Sequence, residues 1–232
     1  EKFEKKINNL TNSNYCIATN SATSALTIAC KALKLKKGDI VWTSPNSFAA
    51  SSNCALISGA SVDFVDIDLS TYNLNLDLLS KKLEKAKKQK KLPKIIIPVH
   101  YAGYPIDMKK LYKLKKKYGF KIIEDASHAI GAKRDNKMVG DCSYSEMTVF
   151  SFNAVKVITT GEGGCITTND KKLFHKLKLL RLHGITNEKR FLFKSYNKKF
   201  PWYYEQVDLS NNFILPDINC GLGISQLSRL TK

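Results

Sequence analysis

Apolar and polar positions follow two alternating rhythms along this chain. Short runs rich in β-branched and aromatic residues, Tyr15 to Thr19, Ile40 to Thr43, Val62 to Val65, Lys94 to Val99 and Phe120 to Glu124, read as strands. Between them the apolar positions recur at helical spacing. Leu26, Ile28, Ala29 and Leu33 form one such face, Leu76, Leu78, Leu79 and Leu83 a second, and Met108, Leu111, Tyr112 and Leu114 a third. A βαβ series of this kind predicts an α/β domain built on a mostly parallel sheet with helices on both faces. Met147 to Phe152 and Cys165 to Thr168 predict two more strands, followed by a helix from about Asp170 to Leu182. The rhythm is lost from Gly184 to Pro216, an irregular stretch centred on Phe200-Pro201-Trp202-Tyr203-Tyr204, and long irregular segments in compact enzymes are often functional. Asp217 to Lys232 reads as a final helix.

With 232 residues, 43 % of them hydrophobic, the chain can bury a full core, and one large domain is the default expectation. No uncharged apolar run approaches the roughly twenty residues needed to cross a bilayer, and Glu1-Lys2-Phe3-Glu4 has no signal-peptide character; a cytoplasmic protein without a membrane partner is expected. The six cysteines are dispersed without a Cys-x-x-Cys pair and read as reduced core residues, and the four histidines form no metal-binding spacing, so no metal is predicted. A net charge of +18 raises nucleic-acid binding as a rival function, carried by the lysines from Lys81 to Lys94. That run has almost no aromatic interleaving and reads as the solvated face of a crossover helix, so no nucleic-acid partner is expected. A positive field would still draw in a small anionic substrate.

One lysine stands apart from the rest. Lys156 lies in Ser151-Phe152-Asn153-Ala154-Val155-Lys156, which runs into Thr159-Thr160-Gly161-Glu162-Gly163-Gly164. An apolar approach and a glycine turn could strip an ammonium of solvent and leave a nucleophilic amine, although a solvated lysine is the plain alternative. In parallel α/β sheets ligands gather at the carboxyl ends of strands, and two other segments bring polar groups there. Asn20-Ser21-Ala22-Thr23-Ser24 opens a helix whose amides, with the Thr23 hydroxyl, could hold a phosphate; a simple N-cap is the alternative. Ile122-Ile123-Glu124-Asp125-Ala126-Ser127-His128 ends a strand in two carboxylates that point to opposite sides, so only one can face a pocket. That acid needs a cationic partner, such as a protonated pyridine nitrogen, or else caps the following helix. Phe48 opens the helix after another strand and could stack on a ring or sit in the core. An anchor for phosphate, a carboxylate for a ring nitrogen and an amine together match the needs of pyridoxal 5'-phosphate.

The ordered set Asn20-Ser21-Ala22-Thr23-Ser24-Ala25-Leu26, Glu124-Asp125-Ala126-Ser127-His128-Ala129 and the Lys156 segment resembles the DegT/DnrJ/EryC1/StrS sugar aminotransferases. The resemblance runs from about residue 14 to the end. It implies the aspartate-aminotransferase (type I) fold of pyridoxal-phosphate-dependent transferases. Lys156 would then be the catalytic amine, Asp125 the partner of the ring nitrogen, and Phe48 the ring cover. Ala22, Thr23 and Ser151 would line the phosphate or substrate site, and His128 would sit beside the cofactor's phenolic oxygen. Asn212 matches an asparagine that members lend to the neighbouring subunit, which implies a homodimer. Val41-Trp42-Thr43-Ser44-Pro45-Asn46-Ser47-Phe48, Val62-Asp63-Phe64-Val65-Asp66-Ile67-Asp68 and Pro201-Trp202-Tyr203-Tyr204-Glu205-Gln206 most resemble the branch that makes the pseudaminic acid precursor. The implied reaction moves an amino group from L-glutamate to the C4 ketone of a UDP-4-keto-6-deoxy-N-acetylhexosamine. Another nucleotide-sugar C3 or C4 aminotransferase is the alternative within the family. The resemblance further implies that residues 1–232 are the cofactor-binding large domain of a longer enzyme, with an N-terminal segment and a smaller C-terminal domain outside it.

Overall fold

A computed structural model describes residues 1–193, 200 and 202–230; Pro201 of the aromatic segment and Lys232 lie outside the described residues. The strands are β1 (Tyr15–Thr19), β2 (Ile40–Thr43), β3 (Ser61–Phe64), β4 (Ile95–Ile97), β5 (Lys121–Asp125), β6 (Lys133–Arg134), β7 (Lys137–Met138), β8 (Met147–Ser151), β9 (Gly164–Thr168), β10 (Ile185–Thr186) and β11 (Glu205–Gln206). Seven form the main sheet in the order β1-β9-β8-β5-β4-β2-β3, while β6 pairs with β7 and β10 with β11 in two small two-stranded sheets. Contacts from β8 through β5, β4 and β2 to β3 are parallel, and β9 runs antiparallel between β1 and β8. The sheet is therefore mostly parallel, as the βαβ rhythm predicts, with one reversed strand.

The alpha helices are α1 (Lys2–Thr11), α2 (Ala22–Ala32), α3 (Ala50–Ile57), α4 (Leu76–Lys88), α5 (Met108–Tyr118), α6 (Lys171–Leu180) and α7 (Asp217–Leu227). Strand side chains alternate between the two faces of the sheet, and both faces are covered. Ile17, Val41, Ile95, Ile97, Ile123, Val149 and Ile166 pack with Leu26, Ile28, Ala29 and Leu177, under α2, α3 and α6. Their neighbours Trp42, Ile96 and Ile122 turn the other way, against Leu79 and Leu83 of α4 and Leu111 of α5. On that same side Cys16, Ala18, Phe150 and Cys165 meet Phe3 and Ile7 of α1 and the inner face of α7. At about 1.5–3 kcal/mol for each large apolar side chain fully buried, these two layers supply the main stabilising term.

Caps set several of the helix starts. Ser21, Asn75, Asp107 and Asp170 each accept a hydrogen bond from an amide two or three residues on, opening α2, α4, α5 and α6. Two expectations are corrected here. Leu78 points away from the face it was assigned to and is exposed, since Leu76, Leu79, Leu83 and Ala86 hold the buried stripe of α4. The first residues also form a helix that strand-by-strand reading passes over, because α1 commits only Phe3, Ile7 and Thr11 to the core. Among the described residues between Gly184 and Pro216, β10 and β11 pair with each other, an order that the composition there does not announce.

Candidate active site

The carboxyl ends of β1, β2, β4, β5 and β8 come to one edge of the sheet, and because β9 is reversed its first residue, Gly164, lies there too, opposite Thr19 and Ser151. That reversal shapes the lysine segment. Lys156 sits on the connection that leaves the end of β8 and returns into β9 at the same edge. Asn153 ties the connection together: its side-chain oxygen accepts from the Val155 amide at 3.2 Å, its amide group donates to Glu162 at 2.6 Å, and its carbonyl accepts from the Lys156 amide at 3.0 Å. Val155 and Val157 point outward, the former 84 % exposed, so they do not form the apolar sleeve expected around the lysine. Lys156 is half-buried, and His128 provides the close contact, with Nζ 2.6 Å from Nε2. Burial and the neighbouring Lys156 ammonium both push the His128 pKa below its ordinary value, while Asp125 pulls it partly back. The ring is thus biased toward the neutral form that accepts a hydrogen bond from Nζ.

Asp125 ends β5 and is 4 % exposed. One carboxylate oxygen accepts from Ser51 Oγ at 2.6 Å, and the other from the Ser127 amide at 3.1 Å and Ser127 Oγ at 2.6 Å. All three donors are neutral. Among the described residues no cation pairs with this carboxylate, which is an expensive arrangement for a buried anion unless a cationic ligand completes it. Glu124 points to the opposite side, as strand alternation requires.

At the start of α2 the Ser21 side chain accepts from the Ser24 amide and its carbonyl from the Ala25 amide. The amides of Ala22 and Thr23 are left without an acceptor among the described residues, and both residues line a cavity of about 320 Å³. Gly164 lets the helix start come this close to the sheet, for a Cβ there would lie 2.5 Å from the Ala22 nitrogen and 2.6 Å from the Ser21 carbonyl carbon. Phe48, 78 % exposed and two residues ahead of α3 rather than within it, forms another part of the cavity wall.

Lys156, Asp125, His128, Ala22, Thr23 and Phe48 therefore line one cavity. Ser151 and Asn212 are not in its lining. Ser151 is buried at the end of β8, where its Oγ faces the Asn153 amide at 3.5 Å. Asn212 is exposed beside the end of β1, with its carbonyl 3.5 Å from the Asn20 side chain. Ser51 and Ser127, the two hydroxyls on Asp125, escaped sequence reading because serines at loop and helix starts are common. The spacing of Ser51 after Phe48 was the available signal. Larger hollows of about 460 and 640 Å³ lie around His175 and Phe191, yet neither is lined by a buried carboxylate. Among the described residues no group of three or more His, Cys, Asp or Glu could hold a metal ion, and no helix is long and apolar enough to cross a membrane.

The profile of the DegT/DnrJ/EryC1/StrS aminotransferase family matches residues 1–232, beginning at the first residue rather than near residue 14. A Campylobacter jejuni protein named UDP-4-amino-4,6-dideoxy-N-acetyl-beta-L-altrosamine transaminase is 40 % identical over 232 residues, covering 99 % of this chain and 56 % of that protein. The chain spans about half the length of the curated relatives it matches. Among solved structures, Helicobacter pylori PseC, described as an aminotransferase involved in pseudaminic acid biosynthesis, superposes with a TM-score of 0.87 at 32 % identity, over 99 % of this chain and 57 % of PseC. Streptococcus pneumoniae Spr1654, solved in a PLP form, gives a TM-score of 0.81 at 27 % identity over 99 % of this chain and 59 % of its own. The fold is thus that of pyridoxal-phosphate-dependent aminotransferases. With the full-length profile match and the lysine, aspartate and helix start converging on one cavity, the chain belongs to the DegT/DnrJ/EryC1/StrS aminotransferase family.

Proposed function

We propose that this chain is the cofactor-binding part of a pyridoxal-phosphate-dependent nucleotide-sugar aminotransferase, transferring an amino group from L-glutamate to the C4 ketone of a UDP-4-keto-6-deoxy-N-acetylhexosamine in pseudaminic acid biosynthesis. The observation that carries the reading is the buried Asp125, held by neutral donors and facing the same cavity as Lys156. The residues fit the cofactor by their chemistry. Asp125 has no cationic partner among the described residues and would hold the ring nitrogen. The unpartnered amides of Ala22 and Thr23 at a helix start would hold the phosphate, and exposed Phe48 would cover the ring. Pyridoxal phosphate, when bound, supplies an electron-poor ring that makes the proton on the amine-bearing carbon acidic.

The chain's own groups do the rest. Lys156 Nζ is the amine that would hold the cofactor's aldehyde carbon, and as a free amine it is the base that moves the substrate proton. His128 accepts a proton-bearing contact from Nζ and keeps that nitrogen directed at the cavity. Ser51 and Ser127 fix both oxygens of Asp125, so the carboxylate would be held in a single orientation for a ring nitrogen. A homodimer in a cytoplasmic setting belongs to the same reading: Asn212 lies exposed outside its own cavity, where a neighbouring subunit could use it, and the exposed Val155 and Val157 flank the catalytic lysine.

The test is a visible absorbance spectrum of the full-length protein with pyridoxal phosphate, before and after borohydride reduction, with peptide mapping of the labelled residue. A borohydride-stable label on Lys156 is expected. Asp125→Ala should weaken cofactor binding and nearly abolish amino transfer. Full activity in that variant would refute the site assignment.

A further inference from the structure

Two buried titratable groups at this edge have no part in the reaction as described. His100 is 1 % exposed and Glu124 4 %, and their side chains meet at 2.9 Å between Nε2 and Oε2. The other Glu124 oxygen accepts from Thr148 Oγ1 at 2.9 Å and from Ser145 Oγ. Among the described residues no backbone amide donates to the Glu124 carboxylate. On the far side of the imidazole, Nδ1 accepts from the Ile106 amide at 3.1 Å. A ring nitrogen that accepts carries no proton, so the proton is on Nε2 and the ring donates to Glu124. The tautomer is fixed from both sides.

The pair joins two walls of the cavity. His100 itself borders the cavity, and its backbone amide donates to the Asp125 carbonyl at 2.9 Å. The following turn, Tyr101–Gly103, supplies more of the wall and is held in an unfavoured shape: Ala102 has φ 48°, in the left-handed region that alanine seldom adopts. Asn73 Oδ1 accepts from the Tyr101 amide at 2.8 Å. The turn also presses on the segment carrying His128, since a Cβ on Gly103 would lie 2.7 Å from the His128 carbonyl oxygen. A buried carboxylate opposite a neutral imidazole is a poor way to gain stability, because desolvation offsets most of the attraction. What it supplies is direction, as hydrogen bonds fix angles that apolar packing would leave free.

We propose that His100 and Glu124 are positioning residues that lock the Tyr101–Gly103 wall to the Asp125–His128 segment, so that the cavity is shaped for pyridoxal phosphate before the cofactor arrives. The proposal rests on the functional reading above for the identity of the ligand, and on the hydrogen-bond geometry alone for the locking.

The full-length protein is compared as wild type, Glu124→Gln, His100→Phe and His100→Gln. An amide at position 124 replaces the charged acceptor facing Nε2 with a weaker neutral one and has to turn its NH2 toward the Thr148 and Ser145 hydroxyls, phenylalanine at position 100 removes both bonds, and glutamine at position 100 can donate to Glu124 while accepting from Ile106. Expected is a rise of roughly tenfold in the pyridoxal phosphate dissociation constant for E124Q and H100F, the equivalent of one buried hydrogen bond, with recovery in H100Q. Hydrogen exchange of the cofactor-free proteins should show faster exchange at the Tyr101–Gly103 amides in E124Q and wild-type protection in H100Q. Cofactor affinity and exchange unchanged in E124Q would overturn the proposal, as would a loss that H100Q fails to recover. If H100F does not fold, E124Q and H100Q still decide. Should the wild type take no borohydride-stable label on Lys156, the functional reading fails, while the exchange measurement continues to judge the locking.

Discussion

Lys156 and His128 show how one contact can set the state of two groups. At 2.6 Å the ammonium repels a proton from the imidazole, and burial works in the same direction. Lys156→Ala should therefore raise the His128 titration midpoint, measured by NMR of the imidazole protons. The midpoint should stay below the value of about 6.5 for an unperturbed histidine, because burial remains. A midpoint that falls or does not move would remove Lys156 as a cause. Lys156 and Asp125 could be picked out locally as cavity residues, since a lysine before a glycine turn and an acid at a strand end are unusual in their own surroundings. Ser51 and Asn153 could not be found that way. Ser51 reaches Asp125 only because α3 packs beside the end of β5, and Asn153 closes its turn by reaching across to Glu162.

Among the elements, β9 and α2 decide the shape of the site. The reversed β9 brings both ends of the lysine connection to the cavity edge, and Gly164 at its start leaves room for the start of α2. Gly164→Ala would drive a methyl group into backbone atoms that cannot rotate away. The expected result is a destabilisation of about 1–3 kcal/mol, typical of overpacking, seen as a lower thermal midpoint, together with weaker binding of pyridoxal phosphate. Normal stability and affinity in that variant would show that α2 can retreat without consequence. Helices and strands were largely legible because their periods of 3.6 and 2 leave a mark in any amphipathic segment. The direction of β9 left no such mark: Cys165 to Thr168 alternates in the same way whether the strand runs up or down. The α1 helix was missed because so little of it is buried.

For the molecule as a whole, charge sets the response to acid. Burial raises the Glu124 carboxyl, but hydrogen bonds from His100, Ser145 and Thr148 outweigh it and hold the group below the ordinary range. Burial likewise opposes, and Lys94 beside Asp39 and Lys176 and Lys31 beside Asp208 overcome it, so these two acids are also held low. A folded-state pKa below the unfolded one contributes stability that is present above the unfolded value and is lost as pH falls through the folded one. The thermal midpoint should therefore drop steeply below about pH 4, and Glu124→Gln should make that slope shallower. A slope unchanged in E124Q would mean that Glu124 does not titrate with unfolding. By itself the sequence determined the α/β class, the helix caps, the alternation that sends Asp125 and Glu124 to opposite sides, and the lysine turn. Each depends on residues within a few positions of one another, where backbone period and local hydrogen bonding decide. Tertiary structure alone decided that β9 is reversed, that Ser51 and His100 meet the end of β5, and that Phe48 and the start of α2 face Lys156. Those meetings follow from strand order and from covering both faces of one sheet, a condition the whole chain satisfies together and no single segment records.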